Sequence, residues 1–239
     1  MNRAHTLSYP RRRLRRFALR WIGRGLLPLL TRTQISGREH FPVRGPLIVV
    51  GNHIAAMEVV LMVVYAPWQM ELLGPGDVPP PPMMDAIART HGYIPINRGN
   101  LDRRALTQAL DVLKQDGILG MFPEGGIWEV GEKPPKRGVA WLSHMTGAPI
   151  LPIGFGGVEG ALTALMQLRR PRLTMNVGTL IPAVEVPPDV PRKPALQAAS
   201  AEVMERANAL IPEEDRMRHP EIRDERFELR LSAYDAVGK

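Results

Sequence analysis

The sequence predicts an α/β protein: a mostly parallel central sheet flanked by helices, preceded by a basic amphipathic helix at the N-terminus. Three observations carry this prediction. Apolar runs of strand length recur at residues 47–50, 118–122 and 150–155, and each is short enough to read as a buried strand. Segments with helical spacing alternate with them, which is the order that builds a parallel sheet. An arginine-rich stretch with a helical period comes before the first run.

That first stretch places Leu14, Phe17, Trp21, Ile22, Leu26 and Leu29 on one helical face and Arg13, Arg16, Arg20 and Arg24 on the opposite one. Such a helix suits a membrane surface, with its arginines turned to lipid phosphate. A helix docked on its own core with a solvated arginine face is the other reading of the same pattern. Pro28 should kink or end it. The strand at 47–50 runs into Asn52 and His53, and an apolar segment of helical length follows at 59–65. A proline-rich loop at 79–82 leads to a short helix at 83–90 and a strand at 93–96. The helix at 101–114 has Asn100 or Asp102 as its cap and Gly117 as its stop, and the strand 118–122 ends at Pro123-Glu124-Gly125-Gly126. A helix at 138–146, stopped by Gly147, precedes strands at 150–155 and 173–177. Beyond residue 188 a packing helix at 195–210 gives way to a charge-dense tail. The chain is therefore divided into a membrane-surface helix (1–35), a catalytic domain (36–212) and the charged tail (213–239).

The formal charge of +7 is local. Residues 1–44 hold eleven arginines against one acidic residue, so this prefix carries about +10 and the remainder is slightly acidic. A basic prefix faces phosphate, and anionic lipid is expected rather than nucleic acid because the rest of the chain shows no basic groove or aromatic platform. The absence of cysteine excludes disulfides, a thiolate nucleophile and a thiolate metal site. No run approaches the roughly 20 apolar residues that span a bilayer. The longest, 59–70, is closed by Glu58 and Glu71. The prefix does not read as a signal peptide, since Arg24 interrupts its apolar part and no small-residue cleavage pattern follows.

His53 precedes Glu58 by five positions. Five residues turn an ideal helix by about 500°, so the two side chains would diverge if both lay on it. They meet only if His53 sits in the turn before the helix, where Glu58 can reach back to one ring nitrogen and leave the other to take a proton.

The Asn52-His53…Glu58 block resembles the glycerolipid acyltransferase family typified by 1-acylglycerol-3-phosphate acyltransferases, whose catalytic motif is Asn-His, four residues, then Asp. Three further blocks resemble that family in the same order: Gly92-Tyr93-Ile94-Pro95-Ile96-Asn97-Arg98, Phe122-Pro123-Glu124-Gly125 and Leu151-Pro152-Ile153. Lys136-Arg137-Gly138 matches its basic pair before a helix, and together the blocks cover about residues 40–180. The resemblance implies that His53 is the general base and Glu58 its partner. It implies that Asn52, Arg98, Glu124, Gly125 and Lys136 bind substrate, with Arg98 on the acceptor's phosphate. Two departures stand out: Glu58 replaces Asp, and the third block continues Gly125-Gly126-Ile127-Trp128 where the family has Gly-Thr-Arg-Ser. A second phosphate-facing arginine is thus missing.

The expected activity is transfer of a fatty acyl group from acyl-CoA or an acyl carrier protein to a lysophospholipid-type hydroxyl, 1-acylglycerol-3-phosphate first. No cofactor or metal is expected. The partners are the thioester carrier, the lysolipid and an anionic membrane bound through residues 10–30, which makes the protein peripheral on the cytoplasmic face. A non-catalytic lipid-binding protein and a thioester hydrolase are the alternatives.

Overall fold

The computed structural model describes residues 7–77, 82–98, 101–127 and 130–216. Most of the proline run, Asn100, Trp128 and the tail from residue 217 lie outside the described residues. In chain order the elements are α1 (Arg13–Leu30), β1 (Arg32–Ser36), β2 (Leu47–Gly51), α2 (Met57–Tyr65), β3 (Glu71–Pro75), α3 (Pro82–His91) and β4 (Ile94–Ile96). They continue with α4 (Arg103–Lys114), β5 (Ile118–Met121), α5 (Gly138–Thr146), β6 (Ile150–Gly156), α6 (Ala161–Met166), β7 (Arg172–Val177) and α7 (Arg192–Ala209).

The strands form one sheet in the order β1-β7-β6-β2-β5-β3-β4. The five from β6 to β4 run parallel, β7 joins β6 antiparallel, and β1 pairs parallel with β7. The mostly parallel, helix-flanked sheet is as the sequence predicts. Strand β2 is buried along its whole length and sends alternate side chains to two cores. Leu47 and Val49 join Leu61 and Met62 of α2, whereas Ile48 and Val50 join Ala109 and Val112 of α4 and Val203 of α7. A strand buried on both faces has no polar position to alternate with, hence its continuous apolar run.

Helix α1 corrects the expected orientation. Arg16, Arg20 and Arg24 point into the protein, Arg13 and Arg15 stay exposed, and the apolar face points outward. Arg16 is 2% exposed and forms a two-point ion pair with buried Glu71, at 2.6 and 2.7 Å, while its Nε donates to the His91 carbonyl at 3.0 Å. Arg11 reaches the same carboxylate at 2.7 Å. Arg24 donates to the carbonyls of Val64 and Ala66, and Arg20 to those of Pro67 and Trp68. These carbonyls lie at and beyond the end of α2, where a helix leaves its last acceptors unsatisfied. Gly23 lets the helices approach, because a Cβ there would lie 2.5 Å from Val64 Cγ2. The outer face carries Leu14 at 83% exposure, Trp21 at 54%, Ile22 at 57% and Leu29 at 69%. Pro28 does not end the helix, since α1 continues to Leu30.

Candidate active site

The carboxyl ends of four adjacent parallel strands converge on one cleft: β2 leads to His53, β5 to Glu124, β3 to Asp77 and β4 to Arg98. Ligands of open α/β sheets bind at this edge, where loops leave the strands in a common direction. The cleft has a volume of about 2570 Å³ and runs between these loops and the apolar flank of α1, with Ile22 and Leu26 among its walls. It is large for a small-molecule site, and of a size to take an acyl chain.

His53 lies in the turn between β2 and α2, as the helical geometry requires. Its ring stacks on Phe122 with centroids 4.3 Å apart. Burial, and then the charge of Arg98, lower its pKa to about 4, so the imidazole is neutral at physiological pH. Glu58 is fully buried in the first turn of α2, and its Oε1 accepts from the amides of Ile54 at 2.7 Å and Ala55 at 2.8 Å. The same oxygen is 3.9 Å from His53 Nδ1, an electrostatic contact beyond hydrogen-bond length. Glu58 therefore shapes the turn that presents His53 as well as facing its ring.

Glu124 accepts a hydrogen bond from the His53 amide at 3.2 Å. Burial pushes its carboxyl up to about 8, so it is protonated at neutral pH. Arg98 is held from two sides: Asp77 takes its Nε and Nη2 at 3.1 and 3.2 Å, and the Gly125 carbonyl takes Nη1 at 3.0 Å. Gly125 adopts φ 73, and a Cβ on it would lie 2.9 Å from Lys136 Nζ. The glycine thus permits both the turn and the approach of the ammonium. Burial, and then the charge of Arg98, lower the Lys136 pKa. Lys136 thus places a second basic group within the electrostatic reach of Arg98.

The structure brings His53, Glu58, Arg98, Glu124, Gly125 and Lys136 together. Asn52 departs from its expected substrate-binding role. It is fully buried, and its side chain exchanges two hydrogen bonds with the Phe155 backbone, at 2.8 and 3.2 Å, tying the end of β2 to β6. Two contributors escaped the sequence reading. Phe122 was visible only as part of a block, and its stacking needs β5 beside β2. Asp77 follows Gly74-Pro75-Gly76 at the end of β3, with no pattern that marks it.

With this geometry in view, the likenesses to known proteins become specific. The sequence model of the Acyltransferase family matches residues 32–156, more than half of the 239-residue chain. The 1-acyl-sn-glycerol-3-phosphate acyltransferase of Borreliella burgdorferi is 27% identical over 122 residues, covering 50% of this chain and 49% of that protein. The matched stretch thus spans about half the length of this curated relative. The crystal structure of the 1-acyl-sn-glycerophosphate acyltransferase from Thermotoga maritima shares the fold, with a TM-score of 0.57 over 85% of each chain at 19% identity. The matched residues include His53, Glu58, Arg98, Glu124 and Lys136, and on this evidence the chain belongs to the acyltransferase family.

Proposed function

We propose that the protein transfers a fatty acyl group from a thioester carrier, acyl-CoA or acyl carrier protein, to a lysophospholipid hydroxyl, with 1-acylglycerol-3-phosphate as the first candidate acceptor. The observation that carries this reading is the neutral His53 set beside the Arg98 and Lys136 cations at the mouth of a long apolar cleft. His53 takes the hydroxyl proton on Nε2 as the lipid oxygen attacks the thioester carbonyl. The C–O bond forms, the tetrahedral intermediate collapses with cleavage of the C–S bond, and the imidazolium returns the proton to the departing thiolate. No acyl-enzyme is needed. Glu58 supports the imidazolium electrostatically, while Arg98 and Lys136 receive the acceptor's phosphate and Glu124 contacts its polar head.

The likeness to the two acyltransferases supports the acceptor class. No helix among the described residues is long and apolar enough to cross a membrane. Contact with lipid falls instead to the outward stripe of α1, whose flank lines the cleft, so the acceptor passes from the bilayer along the helix. The protein would then be peripheral, on the face where the thioester carriers are found. Because Arg16, Arg20 and Arg24 are engaged within the protein, α1 binds chiefly through its apolar side chains, with Arg13 and Arg15 exposed at its start. Its contribution should largely survive high salt and depend little on anionic lipid.

Product analysis with acyl-CoA and a panel of lysolipids tests the reaction. Acylated lipid is expected, and His53→Ala should lower turnover by roughly 10²- to 10⁴-fold. Free fatty acid alone would make the protein a thioester hydrolase. No turnover with intact lipid binding would make it a non-catalytic lipid-binding protein.

A further inference from the structure

The turn between α6 and β7 is closed by its own backbone. The chain leaves α6 through Leu168, which adopts φ 56, a left-handed conformation usually left to glycine. Hydrogen bonds from Leu168 N to the Leu165 carbonyl and from Arg169 N to the Ala164 carbonyl close the turn. Leu168 is 93% exposed and Met166 72%, so neither side chain contributes to the core. Arg169 and Arg172 are exposed on the same segment, and Arg32, the register partner of Arg172, is exposed on β1. Residues 161–172 and β1 hold no acidic residue.

Two connections fix where this turn sits. Arg170 donates to the carbonyls of Pro28 and Thr31, at 2.7 and 3.2 Å, which joins the turn to the end of α1 beside exposed Leu29 and Leu30. Strand β7 also runs antiparallel to β6, so its first residues lie at the sheet edge where the parallel strands end and the candidate site opens. An apolar tip ringed by arginines therefore continues the outward stripe of α1 on the side of the cleft.

We propose that this turn is a second lipid contact, in which Met166 and Leu168 enter the bilayer surface and Arg32, Arg169 and Arg172 bind anionic headgroups. The inference rests on the reading of α1 as lipid-facing. It adds these three arginines to the electrostatic attraction, which α1 supplies only through exposed Arg13 and Arg15, since Arg16, Arg20 and Arg24 are already engaged. Charge complementarity selects the occupant: exposed guanidinium groups around an apolar tip match an anionic interface.

The test is sedimentation of the full chain with vesicles of phosphatidylcholine alone or mixed with phosphatidylglycerol, at low and high salt. Arg169→Gln with Arg172→Gln should lower binding to the anionic vesicles by about fivefold per arginine, weaken the salt dependence and leave binding to phosphatidylcholine unchanged. Met166→Gln with Leu168→Asn, the latter suited to the left-handed position, should lower binding to both vesicles by about tenfold. Turnover of a water-soluble short-chain acceptor should be unchanged in all variants. Vesicle binding that persists unaltered in both pairs, while Trp21→Glu in α1 abolishes it, would overturn the second contact and leave the α1 reading standing. An intact chain that binds no vesicle would overturn both. An arginine pair variant that binds vesicles normally but loses turnover only with acyl carrier protein would assign the patch to that acidic protein and overturn the lipid contact.

Discussion

At His53 two effects act in the same direction. Burial disfavours the imidazolium, and the Arg98 guanidinium disfavours it further, together lowering the pKa to about 4. Since the base must be neutral to accept a proton, kcat/KM should stay flat as the pH falls through 6.5 and decline only near 4. Arg98→Gln should move this acid limb upward but short of 6.5, because burial, the larger cause, remains; an unmoved limb would remove Arg98 from the field at His53. Asp77 acts one step farther out, aiming Arg98 through a side-on pair whose members are 11% and 6% exposed. Asp77→Ala should therefore raise the KM for an anionic acceptor by about tenfold, the worth of a charged hydrogen bond, with the carrier's KM unchanged. Equal changes in both constants would make Asp77 a fold residue. Glu58 shows why a motif residue can have two tasks: Glu58→Gln keeps an oxygen for the Ile54 and Ala55 amides and loses only the charge facing Nδ1. It should harm turnover less than His53→Ala.

Among the elements, those whose own residues determine their environment were legible. Strands β2, β5 and β6 announce themselves as apolar runs between turn residues, and α4 carries its cap, the Asp102 side chain accepting from the Ala105 amide. Gly147, left-handed at the end of α5, is likewise readable as a stop. Strand β1 was not legible, because as an edge strand it alternates exposed polar residues with half-buried ones, nor was β3, which a glycine and a proline interrupt. In α1 periodicity defines two faces and cannot say which turns inward. That choice depends on Glu71, 55 positions from Arg16, and on the carbonyls ending α2, partners that exist only once the chain is folded. Asn52 was misread for the same reason, since its partner Phe155 lies 103 residues away. The buried Arg16–Glu71 pair makes a prediction for α1 as a unit. Glu71→Leu strands the desolvated Arg16 and should cost about 3–5 kcal/mol in urea unfolding, whereas Arg16→Met leaves Glu71 paired with Arg11 and should cost less. The double variant should cost clearly less than the sum; strict additivity would show that the pair does not hold the helix.

For the whole molecule, the buried titratable groups tie stability to pH from both sides. His53 and His91 have pKa values lowered to about 4, each chiefly by burial, against an ordinary value of 6.5. Between about 4 and 6.5 the unfolded chain binds protons that the folded one refuses, so both histidines make stability rise with pH across that window. Glu124 works oppositely: its carboxyl is raised to about 8 from 4.5, so the folded protein keeps a proton that the unfolded chain has released, and stability falls as pH rises from 4.5 to 8. Two groups against one leave a net rise up to about 6.5, and above that only Glu124 acts. These groups therefore place the maximum near pH 6.5, with a loss of about 2 kcal/mol by pH 8, the worth of 1.5 pH units of one proton. Glu124→Gln keeps the shape and an acceptor for the His53 amide while removing the titration. Urea unfolding of this variant from pH 6 to 9 should show the alkaline arm flattened and the acid arm intact. An alkaline decline that persists in the variant would mean that Glu124 is ionised in the folded protein, and the cleft beside His53 would then hold one more negative charge facing the acceptor's phosphate.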